Sequence, residues 1–92
     1  MNEKLLEKKL REEVKKLGGL ALKFTSSTYT GMPDRLVLMP KGKVYFVELK
    51  STGKDQTMIQ KKAEYMLEGL DQDFWLIENM AGLNLFLKYI AQ

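Results

Sequence analysis

Three residues in the middle of the chain have the types and spacing to do chemistry: Asp34, Glu48 and Lys50. Asp34 stands at the head of the apolar run Leu36–Met39, and Glu48 and Lys50 interrupt the end of a second run that starts at Val44. Alternate residues of a strand share a face, so Glu48 and Lys50 would point with Phe46, and Tyr45, Val47 and Leu49 the other way. An unpaired buried carboxylate is costly, and a lysine two residues on offsets only part of that cost. Taken alone, the Glu–Lys spacing favours a simpler reading, an ion pair on a solvated sheet face.

The turn between the two runs, "MPKGK", bears on where Asp34 goes. A two-residue loop at Lys41-Gly42 would put Asp34 and Glu48 on opposite faces. A three-residue loop, Pro40-Lys41-Gly42, pairs Met39 with Lys43 and sets Asp34 directly opposite Glu48. Proline suits the first position of a type I turn and glycine a left-handed third position, so the three-residue loop is predicted. Two carboxylates then meet beside a lysine. Like charges so close repel unless a cation lies between them or one takes a proton, and a divalent metal is the simplest resolution.

The elements that would hold these residues follow from periodicity. Leu6, Leu10, Val14 and Leu17 recur at helical spacing within residues 2–17, and Gly18-Gly19 supply a stop. Residues 20–26 predict a first strand, 27–33 a loop, and 35–39 and 44–50 two further strands. A loop over 51–55 ends at Asp55, a candidate helix cap. The helix from Gln56 to Glu68 would bury Ile59, Ala63, Met66 and Leu67, with Gly69 at its end. Residues 73–78 predict a fourth strand and 80–91 a last helix capped by Asn79. The order is αβββαβα, an α/β fold with a mixed four-stranded sheet flanked by helices, in a single domain over 1–92.

Composition narrows the chemistry. The chain has 92 residues, 45% hydrophobic and 29% charged, ordinary for a small globular domain. It has no cysteine and no histidine, which excludes disulfides and thiolate sites and argues against zinc. A metal would have to be held by oxygen, which favours magnesium or manganese. No apolar run is long enough to span a membrane and the N-terminus is charged, so a cytoplasmic protein is expected. Net charge is +3, compatible with a polyanionic partner and equally with a lysine-rich soluble surface.

The words "GGLALKF", "GMPDRLVLMP" and "VYFVELKSTGK", with Gln60 in the helix that follows, resemble the VRR-NUC (virus-type replication-repair nuclease) family of the PD-(D/E)xK superfamily, in its stand-alone phage form. Pro33-Asp34 and Glu48-Leu49-Lys50 match the superfamily signature, and the αβββαβα order matches its restriction-endonuclease-like core. The resemblance implies a Mg2+-dependent endonuclease, with Mn2+ also supporting activity. Asp34, Glu48 and the Leu49 carbonyl would bind metal, and Lys50 would orient the attacking water. Gln60 would contact the water or a phosphate; without the resemblance it reads as a surface residue. The family also carries a glutamate on the first helix. Glu3 lies about 20° and Glu7 about 60° from the centre of the apolar stripe, which favours Glu3 for facing inward. The distance to the Gly-Gly stop favours Glu7, the one chosen. Lys23, Arg35, Tyr29 and Lys54 are the expected nucleic-acid contacts. Branched or junction duplex DNA and a homodimer, joined in part through the apolar last helix, complete the expectation. The rival is a non-catalytic DNA-binding module, against which the joint presence of Asp34, Glu48 and Lys50 argues.

Overall fold

A computed structural model describes residues 1–92. Asn2 caps the first helix, α1 (Glu3–Lys16), by accepting the Leu5 N–H, and Leu6, Leu10 and Val14 form its buried stripe. Leu17, expected to extend that stripe, is the C-cap and stays 37% exposed. The first strand, β1 (Leu20–Lys23), is shorter than expected. After Phe24, whose N–H bonds the Asp34 carbonyl, the chain leaves the ladder for a turn in which Ser26 Oγ accepts the Tyr29 N–H. This side-chain bond offers the backbone an alternative to the sheet.

Strands β2 (Arg35–Met39) and β3 (Lys43–Leu49) form an antiparallel hairpin with Arg35 opposite Val47 and Met39 opposite Lys43. The three-residue loop and its register are as expected. The turn type is not, because Lys41 as well as Gly42 has positive φ, 69° and 75°. A type I turn needs negative φ at both central residues. Gly42 takes its conformation freely, whereas Lys41 holds it against the steric preference of its side chain.

Helix α2 (Met58–Gly69) starts two residues later than expected. Its cap is Thr57, not Asp55: Thr57 accepts the Gln60 N–H while the Gln60 side chain accepts the Thr57 N–H, a reciprocal box. Ala63 and Leu67 are buried as expected, whereas Ile59, expected inside, is half exposed. Strand β4 (Phe74–Ile77) pairs parallel to β3, and α3 (Met80–Ile90) follows its Asn79 cap. The sheet order β1-β2-β3-β4 is therefore mixed.

Register decides the layers. Ala21, Val37, Tyr45, Val47, Leu49 and Ile77 point to one face and pack with α1 and α3 residues, among them Phe86 and Ile90, in one core. Each such large side chain contributes on the order of 2 kcal/mol by burial. Even-numbered residues of β3 point to the other face, over which α2 lies at the Glu48 end. The other half of this face is open: Leu20 and Val44, both opposite Leu38, and Leu22 are 54%, 40% and 42% exposed. The last helix has less spare apolar surface than its composition suggests, since Leu83, Phe86 and Ile90 are buried and Leu85 and Tyr89 are left outside.

Candidate active site

The site begins where β2 does. One step beyond the ladder, the register sets Asp34 opposite Glu48 and Pro33 opposite Leu49. Phe46 and Lys50 donate their N–H groups to the Asp73 and Ile77 carbonyls at 2.8 and 3.0 Å. Even residues of β3 thus serve β4, and Leu49 turns its backbone groups toward β2. There it meets Pro33, which has no N–H to give. The Leu49 N–H goes instead to Asp34 Oδ1 at 3.2 Å, and the ladder supplies no donor for the Leu49 carbonyl. The Pro-Asp pair thus supplies a carboxylate and withholds a ladder donor from a carbonyl beside it.

Glu48 is the one charged residue fully buried in the chain, 4% exposed. Burial pushes its carboxyl up to about 7, the Asp34 charge pushes in the same direction, and Lys50 opposes it. Asp34 is also raised, first by burial, against the stabilising Leu49 N–H. Gln60 Nε2 donates to Glu48 Oε2 at 2.9 Å. Its other amide atom is held by Thr57, so the cap fixes which end of the amide meets the carboxylate.

The helix glutamates divide. Glu7 Oε1 accepts from Arg11 Nη1 at 2.6 Å and forms an ion pair with Arg35 Nη2 at 3.1 Å, so two guanidiniums face its charge. Glu3 makes no ion pair, and its charge raises both Asp34 and Glu48. Both glutamates, Asp34, Arg35, Lys23 and Leu49 line one open groove. Arg35 is drawn in by Glu7, its Nε buried without a partner. Tyr29 and Lys54 do not line this groove: Tyr29 is 42% exposed on the Ser26 turn, and Lys54 is exposed on the loop after β3.

No three Asp or Glu side chains converge anywhere, and there is no histidine or cysteine to join them. The donor set is two carboxylates and one carbonyl, all hard oxygen. That fits magnesium or manganese, which take one or two carboxylates and keep waters, and does not fit zinc. The mutual repulsion of Asp34 and Glu48 is what such a cation would relieve.

Two supports were missed in the sequence. The Thr57-x-x-Gln60 box was legible as a pattern. Gly31 was not: it sits at φ +86°, and a side chain there would meet the Ile59 carbonyl at 2.6 Å. The loop carrying Asp34 is thereby pressed onto the first turn of the helix carrying Gln60.

The chain is 39% identical over 79 residues to "Putative nuclease p44" of Acyrthosiphon pisum secondary endosymbiont phage 1, across 86% of this chain and 85% of that one. Among solved structures, a VRR_NUC domain superposes with a TM-score of 0.87 over 95% of both chains, at 23% identity. This chain belongs to the family of that putative phage nuclease and has the VRR_NUC fold. No family model matches it. The VRR-NUC fold accounts for the order of elements around the hairpin, with the Pro33-Asp34 and Glu48-Leu49-Lys50 words at its open end.

Proposed function

We propose that this chain is a magnesium- or manganese-dependent endonuclease that hydrolyses phosphodiester bonds of branched or junction DNA. The observation that carries the reading is the meeting of Asp34 and Glu48 beside the Leu49 carbonyl that Pro33 leaves without a ladder donor. These three would hold the metal, which when bound lowers the pKa of water and polarises a phosphoryl oxygen. Lys50 lies close enough to Glu48 for its charge to oppose the burial that raises that carboxyl. Its ammonium would orient the attacking water and offset charge gathering on the phosphate. Gln60 would keep Glu48 turned toward the metal through its 2.9 Å bond. Glu7, clamped by Arg11 and Arg35, would act by aiming those cations; Glu3 is the helix acid free to meet a water at the site.

A homodimer that brings two such sites to one junction belongs to this reading. The open row Leu20, Leu38 and Val44 on one face of the sheet, or the exposed Leu85 and Tyr89 of α3 on the other side, would supply apolar surface for it. A monomer by light scattering at micromolar concentration would remove the dimer. The host cytoplasm, where phage DNA is processed, is the place of action; no helix is long and apolar enough to cross a membrane.

The test of the activity uses a labelled four-way junction and a linear duplex, with magnesium, manganese or EDTA, and Asp34→Ala as control. Metal-dependent cuts in the junction, absent with Asp34→Ala, are expected. Binding without cleavage in either metal would make the protein a DNA-binding module and end the nuclease reading.

A further inference from the structure

The groove that ends on Asp34 and Leu49 has a second wall whose charges the catalytic set leaves unused. It is the largest depression on the molecule, about 580 Å³. Lys4, Lys8 and Arg11 line it from α1, and Lys23 from β1. The three α1 residues fall at i, i+4 and i+7, one stripe of the helix. With Arg35, five cations face three carboxylates, a net +2 in one groove of a chain whose total is +3. One of those carboxylates, Glu7, is already held by two guanidiniums. None of Lys4, Lys8 and Lys23 has a carboxylate partner, whereas Lys16 outside the groove is paired to Glu13 at 2.9 Å. Like charges at i, i+4 destabilise a helix, and Lys4 and Lys8 form such a pair without relief.

We infer that this groove is the track on which a nucleic acid's phosphodiester backbone lies as it reaches Asp34 and Glu48. Lys4, Lys8, Arg11 and Lys23 are its phosphate contacts. From Lys4 to Arg11 the helix rises about 10 Å. One strand of a duplex advances about 3.4 Å per phosphate along its axis, so the stripe spans about three phosphates. The site and the track are then one continuous surface, and the strand runs along α1 rather than over the loop of Lys54. This placement rests on the nuclease reading above.

The experiment is a salt titration of binding in EDTA, with a fluorescent duplex and a single strand in separate arms. It compares wild type with the groove triple Lys4→Ala, Lys8→Ala, Lys23→Ala. A control triple, Lys9→Ala, Lys16→Ala, Lys88→Ala, removes the same charge from exposed positions elsewhere. For the groove triple, the slope of log K against log salt should become shallower by about 3, close to one per lost phosphate contact. The control slope should stay near wild type, and circular dichroism should show both triples folded. Equal losses in the two triples, an unchanged slope in the groove triple, or no binding by wild type in either arm would overturn the track. A stronger loss in one arm tells which form of nucleic acid the track takes. Metal-dependent cleavage by wild type is measured beside it. Cleavage with an unmoved slope sinks the track alone, and a moved slope without cleavage sinks the nuclease reading alone.

Discussion

Two carboxylate clusters stand toward opposite ends of β3, and they are built on opposite terms. At the start of β4, Asp73 accepts from Trp75 Nε1 through one oxygen and from Tyr89 Oη through the other, both at 2.8 Å. The rings that surround it interlock, with Trp75–Phe86 and Tyr45–Phe86 centroids at 5.3 and 5.7 Å. At the far end, Glu48 is more deeply buried and receives one side-chain donor, Gln60, while Asp34 crowds it. A carboxylate that serves the fold is supplied with donors on both oxygens. A pair left short of donors, and pushed toward protonation, has the character that the proposed metal site requires.

The sharpest way to break this contrast is to remove one carboxylate from each end. Asp34→Ala or Glu48→Gln should lower the metal-dependent cleavage rate by roughly 10³-fold. Asp73→Asn should leave the rate within about threefold while lowering stability by about 1–2 kcal/mol, because two donors lose a charged acceptor. Comparable rate losses at both ends would show that the two clusters do not differ in kind.

Gln60→Ala comes next. It leaves Glu48 buried without its donor, and cleavage should fall about 10–100-fold, as for other groups that orient a metal ligand. Thr57→Ala, which removes the cap but not the amide, should cost less. The reverse order would put the contribution of Gln60 in the helix cap and not in its bond to Glu48.

Protonation sharpens the contrast further. The Glu48 carboxyl is raised to about 7 in the folded chain, against an unfolded value near 4.5. The folded state then binds the extra proton between these limits, so metal-free stability is full below about pH 4.5 and declines as pH rises through about 7. Glu48→Gln should flatten that decline and make the metal-free protein more stable at pH 8, by about 1–3 kcal/mol in urea denaturation. A wild-type profile that rises over this range would contradict the burial assigned to Glu48. The smallest effect is expected at Tyr89→Phe, a slight loss of stability and no change in cleavage.

Much of the site could be read without coordinates, since it depends on the parity of a hairpin. The Pro40-Lys41-Gly42 loop fixed the pairing of Asp34 with Glu48, and Lys50, two residues on, lies near enough for its charge to act on Glu48. The exact turn was missed because nothing local announces that Lys41 will accept a left-handed conformation. The donor set of Asp73 was also invisible: Tyr89 is sixteen residues away in another helix, and Trp75 read simply as core. Glu7 shows the same boundary. Its choice on α1 followed from the distance to the Gly-Gly stop, but Arg35 comes to it from β2, so its ion pair is a fact of packing.

By itself the sequence determined the elements, the hairpin register and the family words, all of them consequences of short-range geometry: strand period two, helix period 3.6, and a turn whose length sets parity. Only the tertiary structure decided which charges are spent and which are left open. Glu7 is paired with Arg11 and Arg35, Glu48 is buried and short of donors, and Lys4, Lys8 and Lys23 remain unpaired in one groove. The physical reason is that burial and Coulomb interaction depend on distance through space, and those distances are fixed only when α1, the sheet and α2 pack together.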